Sequence, residues 1–416
     1  MTGAPAAGRR RVHQIMATLG YGDAIGNEAL GIQRALRRAG FDSEIIVETA
    51  DPRLEDMTVD YRDFVGEVGE DDLLVHHFSL GSRASRTAFA LPCRMILVYH
   101  NITPPEYFLG VHEQLVRQCY HGRRELLPWR ARCELALGDS EFNRQELEAL
   151  GFAPTAVLPV VPDFTHLDVE PDRRPVDAYD DDWTNILFVG RVIPNKRPDN
   201  LIRFFHAYKT LYNPRSRLIL AGSYGGFSAY LTQLHALVAD LGALDVHFTG
   251  QISNAELTAL YNVADLFLCA SEHEGFCVPL VEAFHKRVPV MAYAATAVPA
   301  TMDGGGLLYD TRDPREVAAL MHATLSDAAA QDRLIAAQDE ALARLRAQDF
   351  DGLVVRFVEQ VLAGPKRPPV NVEPDFWRQF ALAEELDAIR QRRPGAFKAL
   401  PDDPAAGRVA DLGHRE

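Results

Sequence analysis

The sequence predicts an α/β protein of two doubly wound, Rossmann-like domains that face each other across a cleft, on three observations. Short apolar runs alternate with segments of helical period almost throughout, which is the pattern of a parallel sheet covered by helices. A chain of 416 residues exceeds one core of ordinary size, so two domains are expected. The apolar runs fall into two series with an acidic stretch between them.

The first series comprises "VHQIMAT", "DSEIIVE", "DLLVHHF", "RMILVYH", "CELALGDS" and "APTAVLPVV". Between the first two, "GNEALGIQRALRRAG" repeats Ala29, Leu30, Ile32, Ala35 and Leu36 on one helical face before Gly40 stops it. These elements are expected to form an N-terminal domain over 1–165. The stretch Pro162 to Thr184, "PDFTHLDVEPDRRPVDAYDDDWT", holds eight acidic and two basic residues and three prolines without a helical period, so 166–184 reads as a linker. The second series, "TNILFVG", "SRLILAGS", "DVHFTG", "ADLFLCA" and "VPVMAYA", defines a domain over 185–345. Further helical stretches follow over 346–395 and are expected to pack back on the N-terminal domain. The tail, 396–416, rich in Pro, Gly, Ala and charge, is expected to be disordered.

Composition narrows the functional classes. With 47% hydrophobic and 24% charged residues and no apolar run near the ~20 residues of a membrane span, the chain reads as an ordinary globular protein. The start, "MTGAPAAGRRRVHQIMATLG", lacks the apolar segment of a secretory signal. Five scattered cysteines, 93, 119, 133, 269 and 277, match neither a disulfide framework nor a zinc site, so a reducing, cytoplasmic location is expected. A net charge of −15 disfavours nucleic-acid binding. Lysine is scarce, at 196, 209, 286, 366 and 398 only, so a lysine beside a strand end is informative.

Function should sit in the loops after strands, because an open parallel sheet binds at the carboxyl ends of its strands. The first such loop, "LGYGDAIGNEAL", carries Gly20, Gly22 and Gly26, which let backbone amides face an anion or a sugar; the plain alternative is a turn that needs glycine only for geometry. Its spacing is not G-x-G-x-x-G, which disfavours a nicotinamide or flavin site. In "NILFVGRVIPNKRPDN", Gly190 and Arg191 close a buried run and Lys196 follows before Pro198 opens a helix. Two cations at a crevice mouth suit a diphosphate. In "SEHEGFCVPLVEAF", Pro279 suits the first turn of a helix, so the amides of Gly275, Phe276, Cys277 and Val278 approach a helix N-terminus beside Glu274. Glu282, about one turn inside, can accept hydrogen bonds from vicinal hydroxyls.

These residues carry a resemblance. "EHEGFCVPLVEA" resembles the E-x7-E signature of retaining glycosyltransferases of the GT-B fold, family four, and "GRVIPNKRPDNLI" is similar to that family's segment G-R-x-x-x-x-K-x-x-x-x-L-I. "LILAGS", "VHFTGQISNAELTALYNVADLFLCAS" and "GDSEFNRQEL" match further blocks in order. The resemblance implies a UDP- or GDP-sugar donor held mainly by the second domain, with Arg191 and Lys196 on the diphosphate, Glu274 on the sugar and Glu282 on the ribose. Cys277 stands where the family commonly has glycine. In "VYHNITPP" the resemblance points to His100 as a residue facing the donor sugar, with His76 and His77 as alternatives.

Two features compete with this reading. Asp180 to Asp182 satisfies a D-x-D metal pattern but lies in the acidic stretch, so neither a metal nor a cofactor is expected. "RQCYHGRRELLPWRAR", Arg117 to Arg132, mixes five arginines with Tyr120 and Trp129 and reads as a solvated helix face or as a peripheral contact with the cytoplasmic face of a membrane. The expected acceptor is a saccharide or lipid-linked saccharide of cell-surface polysaccharide synthesis. A sugar phosphorylase or nucleotide-sugar epimerase on the same fold, and a catalytically silent nucleotide-sugar binding module, are the alternatives.

Overall fold

The computed structural model describes residues 10–20, 22–160, 163–368, 370–372, 375–381 and 383. Strands β1 (Val12–Leu19), β2 (Ile45–Ala50), β3 (Thr58–Asp60), β4 (Leu73–Phe78), β5 (Arg94–Tyr99), β6 (Leu135–Gly138) and β7 (Thr155–Val157) form one sheet in the order β3-β2-β1-β4-β5-β6-β7. Strands β8 (Thr184–Val189), β9 (Ser216–Ala221), β10 (Val246–Gly250), β11 (Leu266–Cys269), β12 (Val290–Tyr293) and β13 (Leu307–Tyr309) form the second, ordered β10-β9-β8-β11-β12-β13. Strand pairing within both sheets is parallel. All residues of β4, β9 and β11 are buried, as expected for strands covered by helices on both faces.

The expected runs all contain strands. The two strands without an expected run, β3 and β13, are three-residue edge strands; β7 is as short and also at an edge, but it sits within the longer apolar run "APTAVLPVV", which they lack. The first helix spans Ala24–Arg38 and buries Ala29, Ile32, Ala35 and Leu36, the face its periodicity indicates; Leu30 is only half-buried.

The acidic stretch corrects the expectation of a free linker without helix. It contains a 3-10 turn, Thr165–Leu167, and a helix, Arg173–Tyr179, whose first turn is capped by the Asp172 side chain. Phe164 and Leu167 are buried against Leu187, Phe267 and Phe284 of the second domain. Lys286 Nζ donates to the Leu167 carbonyl at 2.7 Å, and the Asp172 amide to that of Ala255 at 3.0 Å. Two apolar anchors suffice to dock the segment, while its acids face outward. Within the D-x-D run, Asp181 is ion-paired with Arg217 and Asp182 with Arg215.

Helix Ala328–Arg346 packs on the second domain through Ala341 and Leu342. Helix Phe350–Ala363 then crosses to the first domain, where Val354, Val358 and Val361 join Val12, Ile32, Leu36 and Val98. Most of the amphipathic stretch 374–393, and all of 396–416, lie outside the described residues.

The arginine-rich segment is not one exposed face. Within it, helix Glu113–Leu126 exposes Tyr120, but Trp129 is wholly buried and stacked on His76, ring centroids 4.4 Å apart. Arg132 is buried too and donates to the carbonyls of Phe89, Leu91 and Cys93. Among the described residues no helix is long and apolar enough to cross a membrane.

Candidate active site between the two domains

Strand order reverses between β1 and β4 in the first sheet and between β8 and β11 in the second. A crevice opens outside the carboxyl ends of the strands at such a point. The loops after β8 and β11 are those carrying Arg191, Lys196 and Glu274.

After β8, Gly190 has a φ of 149°. The neighbouring chain comes so near that a Cβ on Gly222 would lie 2.0 Å from the Gly190 carbonyl oxygen, a contact only glycine permits. The 3-10 turn Pro194–Lys196 follows and ends at Arg197, left-handed at φ 51°, before helix Pro198–Leu211. Asn195 clamps this turn to the loop after β11. Its side-chain amide donates to the His273 carbonyl at 3.1 Å, and its carbonyl accepts from the Glu272 amide at 2.9 Å. Lys196 Nζ thereby meets Glu274 Oε2 at 2.5 Å. Burial pulls the Lys196 ammonium down, but the Glu274 charge and hydrogen bond, together with the nearby Cys277 and Cys269, outweigh it and hold the lysine above its ordinary range. Glu274 is buried, and its amide donates to Thr296 Oγ1 at 2.9 Å. Arg191 differs from Lys196: it is exposed, has no carboxylate partner among the described residues, and lies 5.7 Å from the Phe227 ring centroid.

The helix after this loop spans Val278–His285, with Pro279 in its first turn. Cys277 caps it at φ 76°, and no side chain accepts from its first-turn amides. Within that turn Pro279 has no N–H and the Leu280 amide donates to the Cys277 carbonyl at 3.1 Å, so it is the Val278 amide that can meet an anion at the positive end of the helix dipole. Glu282 lies inside the helix as expected, yet it is already engaged: Oε1 accepts from His166 Nε2 and Oε2 from the Tyr261 hydroxyl, both at 2.9 Å. The hydrogen bond to Glu282 raises His166, whose other nitrogen meets the Asp163 carbonyl at 2.9 Å. A ribose hydroxyl would have to share the remaining lone pairs of these two oxygens.

The loop also touches the first domain. A Cβ on Gly275 would lie 3.1 Å from Asn101 Cβ and 3.6 Å from the His100 carbonyl oxygen. Asn101 Nδ2 donates to Asn143 Oδ1 at 2.8 Å and reaches the Glu274 carbonyl at 3.5 Å. Phe276 lines a cavity of 260 Å³ between the domains, with Asp139, Ser140, Pro159, Thr301 and Arg344.

Two expected site residues are placed otherwise than their positions suggest. Gly26 is not in the loop before the helix but in its first turn, and its amide is taken by Asp23 Oδ1 at 2.5 Å. Glycine is needed there because a Cβ would meet the Gly20 carbonyl oxygen at 2.3 Å. His100 sits at the end of β5, but both ring nitrogens are engaged inside the first domain, Nδ1 with Asp139 Oδ2 at 3.0 Å and Nε2 with His77 Nδ1 at 2.9 Å. His77 passes the chain on to Gln14 Oε1 at 2.8 Å, and Glu28 lies 3.8 Å from His100. Burial lowers His100, but the Asp139 charge and hydrogen bond, with Glu28 and Asp23, lift it to about 9. Burial raises the Glu28 carboxyl, and the Asp139 charge adds to that. His76 turns instead to Ser85 Oγ at 3.0 Å.

The sequence profile of the family Glycosyl transferases group 1 matches residues 169–340, the span that holds Lys196, Glu274 and Glu282. This span is a glycosyl transferases group 1 domain. The chain is 26% identical over 254 residues to the O-antigen chain mannosyltransferase B of Escherichia coli, covering 58% of this chain and 64% of that protein. It is 33% identical over 241 residues to the D-inositol 3-phosphate glycosyltransferase of Kineococcus radiotolerans, covering 51% and 53%. The chain thus spans little more than half the length of the curated relatives it matches. Among solved structures, Anabaena HepE in complex with UDP-glucose superposes with a TM-score of 0.66 at 16% identity, over 85% of this chain and all of that one. WaaG, a glycosyltransferase involved in lipopolysaccharide biosynthesis, gives 0.62 at 14% identity over the same share. The fold around the group 1 domain is GT-B.

Residues that the sequence did not single out are Asn195 and Thr296, which hold the Glu274 loop, and His166 with Tyr261 on Glu282. His166 was hidden in the acidic stretch. Asn101, Asn143, Asp139 and Glu28 are brought together only by the packing of the first domain.

Proposed function

We propose that the chain is a retaining hexosyltransferase that moves a sugar from a UDP- or GDP-sugar to a saccharide or lipid-linked saccharide, in the synthesis of cell-surface polysaccharide or glycoconjugate. The observation that carries this reading is the joining of Lys196 to Glu274 beside the uncapped first turn of helix Val278–His285, at the reversal point of the second sheet. A diphosphate there meets Lys196, Arg191 and the amides of Gly275 to Val278, and the sugar beyond it meets Glu274. Glu282, steadied by His166 and Tyr261, takes the ribose.

Since Glu274 is held by Lys196, the leaving diphosphate itself accepts the acceptor's proton, on the face it departs from, and the configuration is retained. The chain contributes charge stabilisation of the leaving group and orientation of the acceptor. His100 acts through its backbone beside Gly275 and through the charged ring behind it. Metal-independent transfer is part of the proposal, because cations and helix amides meet the diphosphate. UDP-glucose bound to HepE, and the names of the mannosyl- and inositol-phosphate transferases, support a nucleotide-sugar donor and a polyhydroxy acceptor.

The test is thermal stabilisation by a panel of UDP- and GDP-sugars, followed by turnover in EDTA with the stabilising donor. A ligand at 100 times its Kd adds ~2.7 kcal/mol to stability, well within the reach of such a shift. No shift with any member removes the donor assignment; turnover that requires added manganese removes the metal-free mechanism.

A further inference from the structure

The loop after β11 carries a chemistry that the proposed transfer does not use. Cys269, wholly buried at the end of β11, and Cys277, at the cap of helix Val278–His285, are both free thiols. Their sulfurs and a Glu274 carboxylate oxygen all lie within 4.8 Å of one another. We propose that Cys269, Cys277 and Glu274 form a binding site for a soft divalent cation of the zinc class, and that filling it takes Glu274 away from Lys196.

The donor set suits such an ion. Thiolates select zinc over magnesium and calcium, and two sulfurs with one carboxylate leave one tetrahedral position for water or a phosphate oxygen. With Zn–S of about 2.3 Å and Zn–O of about 2.0 Å, the ligand atoms need to draw in to roughly 3.5–3.8 Å of one another, a movement of about an ångström at most. One of the three is a loop side chain, which makes that adjustment feasible. The Cys277 backbone is a second observation. At φ 76° a side chain costs roughly 1–2 kcal/mol that glycine would not, so this thiol is held in a strained place rather than filling an easy gap. Both thiols border the apolar cluster of the second domain, and the ion-paired Glu274 carboxylate brings a charge within reach of them.

Binding expels both thiol protons to solvent and displaces the Lys196 ammonium from the carboxylate, so affinity should rise with pH. The displaced lysine and the captured Glu274 are the groups assigned above to diphosphate and sugar. Occupation should therefore weaken donor binding. The site itself does not depend on the proposed transfer; only its inhibitory effect rests on that reading.

Cobalt(II) is the probe, added to the reduced full-length chain. A thiolate-to-cobalt charge-transfer absorption that one equivalent of zinc abolishes is the expected result. Cys269→Ser and Cys277→Ser should each lower the affinity at least tenfold, and Lys196→Ala should raise it by removing the competing cation. Zinc-edge absorption on the unsubstituted protein needs no variant and should give two sulfur ligands. No charge-transfer band, a band that survives both cysteine substitutions, or a zinc shell without sulfur overturns the site. Zinc held by two sulfurs with unchanged UDP-sugar affinity overturns the inhibitory role. Absence of stabilisation by any UDP- or GDP-sugar would count against the transferase and leave the cobalt result standing.

Discussion

At the scale of single residues, the division of labour between the two cations and the two glutamates is the sharpest expectation. Arg191→Ala and Lys196→Ala each remove a charged donor from the diphosphate, so each should weaken UDP or GDP binding by ~1.5–3 kcal/mol in calorimetry, roughly ten- to a hundredfold. Glu274→Gln keeps shape but loses its pairing with Lys196, and should lower turnover while the affinity for the free nucleoside diphosphate changes little. Glu282→Ala should weaken the nucleotide itself and also destabilise the fold, because it strips His166 and the buried Tyr261 hydroxyl of their acceptor. Swapped outcomes would exchange the two roles. The buried His100 cluster makes a pH prediction. His100 keeps its proton in the folded chain to about pH 9, against 6.5 unfolded, and the raised Glu28 also keeps a proton that the unfolded chain releases. The folded state thus binds more protons, so the contribution of Glu28 declines from about pH 4.5 to 8 and that of His100 from about pH 6.5 to 9, and stability falls as pH rises towards 9. Urea midpoints should show that fall, and Glu28→Gln should flatten it; an unchanged slope would mean that Glu28 does not titrate with folding.

At the scale of elements, the arginine-rich segment divides in two. Trp129 and Arg132 belong to the core, whereas helix Glu113–Leu126 offers Tyr120, half exposed, with the Arg124 guanidinium 5.6 Å from its ring. Peripheral docking, which a lipid-linked acceptor would need, therefore falls to Tyr120, Arg117 and Arg124. Sedimentation with vesicles should show binding to anionic lipid over neutral lipid, weakened by salt and by Tyr120→Ala. Equal indifference to both lipids would favour a soluble acceptor. Element by element, the runs with clear apolar patterning were legible, the short edge strand β7 among them, and the edge strands β3 and β13, which lie in no such run, were not. The acidic stretch misled for a physical reason: it docks through the two buried side chains Phe164 and Leu167 and a few backbone hydrogen bonds, and apolar residues so sparse among eight acids leave no periodicity to read.

At the scale of the whole molecule, helix Phe350–Ala363 ties the end of the chain to the first domain. Val358 is wholly buried among residues of the N-terminal sheet and of helix Ala24–Arg38. Val358→Asp places an unpaired charge there and should destabilise the protein by several kcal/mol, on the order of 3–5. Fluorescence-monitored urea unfolding checks this, and a midpoint within error of the unsubstituted chain would mean that the helix is not part of the first domain's cooperative unit. The cleft is likewise a property of the whole, since the Glu274 loop rests on Asn101 and Asn143 of the other domain.

By itself the sequence determined the two parallel sheets, because period and run length report burial directly. It also determined that Arg191, Lys196, Glu274 and Glu282 follow strands whose carboxyl ends meet a crevice, because the alternation of strand and helix places every such loop on one edge. Tertiary structure alone decided which partners those residues have. Lys196 meets Glu274, separated from it by 78 positions, only because β8 and β11 are neighbours in the sheet. His166 and Tyr261 converge on Glu282, His77 and Asp139 close on His100, and Cys269 and Cys277, scattered in a count of five, come within reach of one carboxylate. Such contacts are set by strand order and by the turns that follow each strand. No local pattern in the chain encodes them.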